Sequence, residues 1–97
     1  MANQNLEEYR QRIDMLNNKI LELLNERTEV VKLIGIEKEK QGKKIHDPIR
    51  ETKIIEALTK KNEGPMTEEM VSQIFKEIFK MSVQFQEDQS FINKANK

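Results

Sequence analysis

The feature that most constrains this chain is a proline-free stretch from about Leu6 to Gln41, in which apolar residues recur every three or four positions. That period is typical of an amphipathic α-helix, and Gly42 ends the pattern. A helix of about 36 residues is about 54 Å long, more than a compact monomer of this size can cover. We therefore predict that a second copy of the chain packs against the stripe in an intertwined homodimer. The apolar positions of the stripe are Leu6, Tyr9, Ile13, Leu16, Ile20, Leu23, Val30 and Ile34.

Two shorter helices are predicted from the rest of the sequence. Asp47-Pro48 begins the second helix, with the aspartate as N-cap and the proline at the first helical position, and the segment 62–65 ends it. Thr67, followed by two acids, caps a third helix that reaches Gln86 or beyond. The apolar residues of these two helices are Ile49, Ile54, Ile55, Leu58, Met70, Val71, Ile74, Phe75, Ile78, Phe79 and Val83.

The sequence thus predicts an all-α fold of three helices, one of them very long. Residues 1–97 form a single domain with a core of about 5–87, and the polar tail 88–97 is expected to fray.

The composition excludes several classes of function. The 97 residues include 17 basic and 17 acidic side chains, so the formal net charge is zero. A general nucleic-acid or anionic-membrane binder would need a basic surplus, whereas a local cationic pocket for a small anion is compatible with this balance. The chain has no cysteine, which fits a reducing compartment and leaves no thiolate nucleophile or cysteine-ligated metal.

We expect a cytoplasmic protein with no membrane segment. The first residues, MANQNLEEYRQR, lack the apolar core of a signal peptide and carry early acids that transit peptides avoid. No run in the sequence approaches the ~18 apolar residues that a membrane span requires.

An arginine interrupts the apolar stripe of the first helix. Arg27 falls where the heptad of Leu6 predicts a core residue, and it shares one helical face with Val31, Gly35 and Lys38. Glycine costs a helix ~1 kcal/mol relative to alanine, and a gap for a ligand between the two cations would explain its presence. Alternatively, Arg27 is a snorkelling or register-fixing residue and Lys38 an ordinary surface lysine.

Arg10 lies seventeen residues before Arg27, about 26 Å along the helix axis. One small ligand cannot contact both side chains on the same helix. In an antiparallel helix pair, Arg10 of one chain would approach Arg27 and Lys38 of the other. Taken alone, Arg10 is an ordinary exposed residue.

The third helix also has polar residues on its apolar stripe. Ser82 and Gln86 are four apart and both extend the stripe, so both are candidates to point inward. The alternatives are that Ser82 bonds to its own helix and that Gln86 marks a fraying end.

The start of the second helix supplies two acceptors, Asp47 and Glu51, and one more cation, Arg50. Alternatively, Asp47 is explained as an N-cap alone, and Arg50 and Glu51 form a solvated first turn. His46 lies in a loop without base-orienting or metal-binding company, so we assign it no catalytic role.

Together these residues are typical of a site for a small dianion that carries a hydroxyl group. The sequence shows no nucleophile–base pair, no metal cluster and no glycine-rich phosphate loop, so we expect no metal and no cofactor. Chemistry at such a site would work by positioning and electrostatics.

In order and spacing, the polar positions resemble those of the helical chorismate mutase family. The similarity covers essentially residues 5–87, and its strength lies in eight polar positions taken together. They are contained in Arg10-x16-Arg27-x7-Gly35-x2-Lys38, Asp47-Pro48-x-Arg50-Glu51 and Ser82-x3-Gln86.

Within that family, the chain most resembles the mutase domains that precede 3-deoxy-D-arabino-heptulosonate-7-phosphate synthase in some Gram-positive bacteria. Such a synthase is therefore a candidate partner. This finer similarity rests on Gln41-Gly42, Asp47-Pro48-x-Arg50-Glu51, Glu63-Gly64-Pro65, Phe75-Lys76-Glu77-Ile78-Phe79-Lys80 and Gln86-Glu87-Asp88.

The resemblance implies the rearrangement of chorismate to prephenate in aromatic amino-acid biosynthesis, without a cofactor. It implies that Arg10 of the partner chain and Arg27 bind the two carboxylates of the substrate. Lys38 and Gln86 would donate to the ether oxygen, where negative charge develops in the transition state.

The remaining implied contacts are made by the second and third helices. Glu51, with help from Asp47, would hold the ring hydroxyl, and Ser82 would assist one carboxylate. Arg50 would line the pocket and support these charges.

Three positions depart from the family pattern, and other functions stay open. Asn17 stands where an acid is frequent, Ile36 replaces a frequent lysine, and Tyr9 replaces an aliphatic residue. The nearest alternative activity is that of an isochorismate pyruvate-lyase. The others are a weakly active or non-catalytic mutase-like regulator of a synthase, and a plain helical adaptor.

Overall fold

The long apolar stripe lies on a single helix. In the computed structural model, which describes the backbone of residues 2–95 and the side chains of residues 5–89, helix α1 covers Ala2–Lys40. The helix begins four residues before Leu6 because its first residues contain no proline or glycine to stop it. Its 39 residues correspond to about 58 Å of helix axis.

Gly42 ends α1 as predicted. Its φ is +68°, a left-handed conformation that a residue without a side chain adopts at little cost. The Lys43 N–H donates to the Lys38 carbonyl at 2.8 Å, and the Gly42 N–H donates to the Glu39 carbonyl at 3.2 Å. These two bonds form a Schellman motif, which satisfies carbonyls at the end of the helix.

Helix α2 covers Pro48–Lys61, and both of its predicted ends are confirmed. The Asp47 side chain accepts a hydrogen bond from the Arg50 N–H at 3.1 Å, as an N-cap does. At the other end, Asn62 accepts from the Gly64 N–H at 3.1 Å and donates to the Met66 carbonyl at 2.7 Å. The Asn62 side chain therefore fixes the turn into the next helix.

Helix α3 covers Glu68–Ala95 and begins at the predicted cap. The Thr67 Oγ1 accepts from the Met70 N–H at 3.1 Å. The helix continues through Ala95, past Asp88, where we expected fraying to begin. Gln84 Nε2 donates to Asp88 Oδ1 at 2.9 Å across one turn, which supports the helix there. Residues 96 and 97 of the predicted tail lie outside the described residues.

These three helices confirm the predicted all-α class, since no strand is present between residues 2 and 95. The chain divides between Val30 and Val31 into two compact units. The first unit is the N-terminal part of α1. Its apolar side chains are exposed in the single chain, and they include Leu6, Tyr9, Ile13, Met15, Leu16, Ile20, Leu21, Leu23, Leu24 and Val30.

The second unit contains the rest of α1 together with α2 and α3, and α2 packs against α3. Its buried apolar side chains are Val31, Val71 and Phe79. The Phe75 and Phe79 rings lie 6.1 Å apart at 55°, a tilted geometry that aromatic pairs favour.

Three predicted core positions of α2 and α3 are exposed instead, namely Ile49, Met70 and Ile74. The helical period places them on apolar faces, but these three side chains are exposed in the single chain. Among the described residues, no helix is long and apolar enough to cross a membrane.

Candidate active site

Gln86 is the one polar side chain that is buried among the described residues, with 7% of its surface exposed. Its Nε2 donates to the Val31 carbonyl oxygen at 2.8 Å, which joins α3 to α1. A carbonyl can only accept, so this bond determines which end of the amide is the nitrogen. The inward orientation predicted for Gln86 is therefore confirmed, and the alternative of a fraying end is wrong.

Gly35 lies directly beneath the Gln86 side chain. A Cβ atom built at Gly35 would lie 3.1 Å from Gln86 Cγ and 3.6 Å from Gln86 Cβ and Cδ. The sequence suggested that Gly35 leaves a gap for a ligand. The structure fills that gap with Gln86 instead.

Lys38 is held by the loop that follows α1. Its Nζ donates to the Ile45 carbonyl oxygen at 2.8 Å, and the side chain is half-buried. An ammonium group has three N–H donors, so this bond leaves two for a ligand. Lys38 is therefore placed by a main-chain contact and is not an ordinary surface lysine.

A groove of about 340 Å³ lies beside Lys38, between the end of α1 and the start of α2, and we call it the Lys38 groove. Asp47 lies on the same groove, which brings two of the predicted site residues together. The groove lies within the size range of small-ligand pockets. Its lining residues are Leu33, Ile34, Glu37, Lys38, Gln41, Lys43 and Asp47.

Glu51 lines a second groove, of about 500 Å³, which we call the Glu51 groove. Glu51 Oε1 lies 3.5 Å from Nε2 of His46, and the glutamate is the more buried partner of the two. Lys76 and Lys80 of α3 face the same space. This groove therefore combines one carboxylate with three basic side chains and can hold a polar, anionic group.

His46, to which the sequence assigns no catalytic role, has a carboxylate neighbour in the structure, Glu51. It immediately precedes the N-cap Asp47, and Glu51 is the fourth residue of the helix. Side chains at these two positions often meet, usually as an apolar pair. The positions of His46 and Glu51 relative to the N-cap therefore indicate their contact from the sequence alone.

Ser82 and Arg50 each make a local hydrogen bond. Ser82 Oγ donates to the Ile78 carbonyl at 2.7 Å within its own helix, and its side chain is half-buried. Arg50 is exposed, and its main-chain N–H serves the Asp47 cap.

Arg10 and Arg27 belong to the first unit. Arg10 is exposed and Arg27 is half-buried. Burial lowers the pKa of the Arg27 guanidinium, because removal from water disfavours the charged form. An anion bound beside Arg27 would oppose that shift.

The second unit thus holds six of the eight predicted site residues: Lys38, Asp47, Arg50, Glu51, Ser82 and Gln86. Within the described part of the chain, no group of three histidine, aspartate or glutamate side chains could hold a metal ion. Of these six, Lys38 and Asp47 line the Lys38 groove, Glu51 lines the Glu51 groove, and Gln86, Ser82 and Arg50 line neither of the two. Each groove combines cationic donors with a carboxylate acceptor. Lysine donors of this kind can bind a small anion.

Comparison with known proteins identifies related sequences. Residues 9–87 match the family described as chorismate mutase type II. A bifunctional chorismate mutase/prephenate dehydratase from Aquifex aeolicus is 39% identical over 77 residues. That match covers 75% of this chain and 21% of the relative, so the chain spans about a fifth of that protein's length.

Solved structures of a chorismate mutase from Thermus thermophilus are also similar. The structure called form II has a TM-score of 0.85 and 38% identity, covering 88% of this chain and 97% of that one. Form I has a TM-score of 0.78 and 38% identity, covering 80% of this chain and 98% of that one.

Proposed function

Because this chain belongs to the type II chorismate mutase family, we propose that it catalyses the rearrangement of chorismate to prephenate in aromatic amino-acid biosynthesis. The observation that carries this proposal is the buried Gln86 amide, which α1 holds through the Val31 carbonyl. A buried amide has a hydrogen-bonding role, because burial without partners would be costly. One Nε2 proton is donated to Val31, and we assign the second to the substrate.

The reaction needs charge stabilisation and no proton transfer. In the chair-like pericyclic transition state, the ether C–O bond breaks while a C–C bond forms, and negative charge builds on the oxygen. We assign donation to this oxygen to Lys38 and Gln86. Because the charge exists mainly in the transition state, these donors raise turnover more than affinity.

Substrate positioning is assigned to two arginines. Arg27 and Arg10 of a second copy bind the two carboxylates and hold the reactive conformer. Desolvation of Arg27 supports this role, since a partly buried guanidinium gains most from an anionic partner.

The acceptor side of the site is assigned to α2. Glu51, the more buried member of its pair with His46, accepts from the ring hydroxyl with help from Asp47. Ser82 assists one carboxylate, and Arg50 supports the local charges.

A homodimer with shared sites completes the proposal. The exposed apolar side chains of the first unit form an extended surface that is costly to leave in water. A second copy carries the same surface and would bring the distant Arg10 to the site. An equilibrium sedimentation measurement tests this directly, since a chain that stays monomeric at micromolar concentration contradicts the shared site.

We also propose that the chain works in the cytoplasm beside another enzyme of aromatic amino-acid biosynthesis, with the heptulosonate-phosphate synthase as first candidate. The sequence resemblance supports the synthase, whereas the Aquifex relative is fused to a prephenate dehydratase. Titration of the chain against each purified enzyme, read as a change in mutase rate, would decide between them.

The deciding experiment for the activity is incubation of the purified chain with chorismate and, separately, isochorismate. We expect chorismate consumption with formation of prephenate. Salicylate and pyruvate from isochorismate would instead support a lyase. Ligand-induced stabilisation without turnover would support a non-catalytic regulator, and no stabilisation by either compound would support a plain adaptor.

A further inference from the structure

We propose that Gly35 is a positioning residue of the active site, which acts by letting Gln86 lie against α1 with its amide on the Val31 carbonyl. The bond directs one Nε2 proton to the main chain and leaves the other at a fixed place for the substrate oxygen. This inference rests on the proposed function, because it concerns the donor role of Gln86.

Gly35 is not explained by backbone conformation. It lies in the interior of α1, and among the glycines that the structure describes only Gly42 has a positive φ. A glycine inside a regular helix is unfavourable compared with alanine. A steric reason for the missing side chain is therefore required.

The Gln86 side chain supplies that reason. A methyl group at Gly35 would lie 3.1 Å from Gln86 Cγ, closer than the ~3.5–4.0 Å at which carbon atoms pack comfortably. The contact involves the middle of the side chain, so relief requires Gln86 to move as a whole. A displacement of a few tenths of an ångström would lengthen the 2.8 Å bond from Nε2 to the Val31 carbonyl.

Such a displacement acts on turnover more than on binding. The carboxylates of the substrate are assigned to other residues, so its ground-state affinity depends little on Gln86. The developing charge on the ether oxygen is assigned to Gln86 and Lys38, and its stabilisation depends on donor distance. A change at Gly35 should therefore appear in kcat and leave KM nearly constant.

The test is a double-mutant cycle with Gly35→Ala and Gln86→Ala. We expect Gly35→Ala alone to lower kcat about 10-fold with KM changed less than about 3-fold. In the Gln86→Ala background the same substitution should have no further effect on kcat, because the remaining Gln86 Cβ contact of 3.6 Å is ordinary packing. The matched control is Gly64→Ala, whose new Cβ meets only Asn62 Oδ1 at 3.7 Å; it should leave kcat unchanged.

A second measurement does not depend on activity, and its first step uses only the unmodified protein. In nitrogen-15 spectra of the unmodified protein, one Nε2 proton of Gln86 should be shifted from the value of a solvated glutamine amide and protected from exchange, because it is hydrogen-bonded to Val31. Gly35→Ala should move this proton toward the value of a free amide. A wild-type Gln86 amide with free-amide shifts and fast exchange would overturn the proposal.

The outcomes separate the two proposals. Full turnover by Gln86→Ala would refute the donor role of Gln86, and with it this part of the proposed function. If Gln86→Ala is impaired but Gly35→Ala keeps the full kcat and unchanged amide shifts, then Gly35 has no positioning role and the proposed function stands. Equal losses from Gly35→Ala in both backgrounds would also overturn the inference, because they would show an effect independent of Gln86.

Discussion

The main chain of the loop after α1 holds the Lys38 side chain, whose Nζ donates to the Ile45 carbonyl at 2.8 Å. If Lys38 donates to the ether oxygen, Lys38→Ala should lower kcat by about 10²–10³-fold, the usual effect of removing one transition-state donor. Steady-state chorismate consumption measures this. Lys40→Ala is the matched control, because Lys40 is exposed and pairs only loosely with Glu37 at 3.8 Å. Near-full turnover by Lys38→Ala would contradict the assignment.

The Gln86 amide does not titrate, so the unmodified protein should have a nearly flat rate profile from about pH 6 to 9. Gln86→Glu places a carboxyl in the same buried position, opposite the Val31 carbonyl. Burial and the facing acceptor both disfavour the ionised form, so the pKa of the new carboxyl should be raised. Only its protonated form can donate.

The activity of Gln86→Glu should therefore rise as the pH falls through that raised pKa, and fall above it. Rate profiles of both proteins measure this. Gln84→Glu, at an exposed position on the same helix, should keep the flat profile. A sharp bell-shaped profile centred near neutrality in the unmodified protein would refute this mechanism.

At the scale of single residues, the sequence predicted which side chains point inward better than it predicted their partners. The helical period placed Gln86 on the apolar stripe, but nothing local indicates the Val31 carbonyl, which lies 55 residues away. The neighbour of Gly35 was not predictable for the same reason, since the side chain above it comes from another helix. By contrast, the contact between His46 and Glu51 is local and was predictable from the start of α2.

At the scale of helices, the loop between α1 and α2 depends on the left-handed Gly42. Gly42→Ala should lower the free energy of unfolding by about 1–2 kcal/mol, because a side chain disfavours this conformation. No heavy atom lies within 4 Å of the new Cβ, so the effect should be purely conformational. Chemical denaturation measures it, and Gly64→Ala is the control without a positive φ.

A Gly42→Ala chain as stable as the unmodified protein would show that the loop tolerates another path. Gly42→Asn should be intermediate, because asparagine enters the left-handed region more readily than alanine does.

Helix boundaries were predictable where a capping residue defines them. Asp47, Thr67 and Gly42 each stand at the predicted end of a helix, because capping is a local interaction between neighbouring residues. The predicted extent of α3, to Gln86 or beyond, is confirmed, and the bond between Gln84 and Asp88 supports the helix past that point. Exposure was harder to predict, as Ile74 shows, because it depends on which neighbour reaches that face.

At the scale of the whole molecule, the proposed shared site makes a prediction about mixed dimers. If each site takes Arg10 from one chain and Lys38 from the other, homodimers of Arg10→Ala and of Lys38→Ala should both be nearly inactive. After equal mixing, unfolding and refolding, about half of the dimers should be mixed, and each should have one site with both defects and one with neither. Recovered activity should approach about a quarter of the wild-type level per chain.

The control for this experiment is refolding of each variant alone, which should recover nothing. Native mass spectrometry establishes that the mixed species has formed. Mixed dimers without activity would place Arg10 and Lys38 in the same site from the same chain, contrary to the proposal.

Gln86 and Lys38 share one property: each is held by a main-chain carbonyl, that of Val31 or that of Ile45. A side-chain substitution at position 31 or 45 leaves the main-chain carbonyl in place. Both hydrogen bonds should therefore persist through such substitutions as long as the backbone conformation is unchanged. A change in the length of the chain, by contrast, moves the carbonyl and breaks the hydrogen bond. Insertions or deletions between Lys38 and Ile45 should therefore harm this site more than most point mutations around it, and lineages that vary there are expected to lose the lysine contact first.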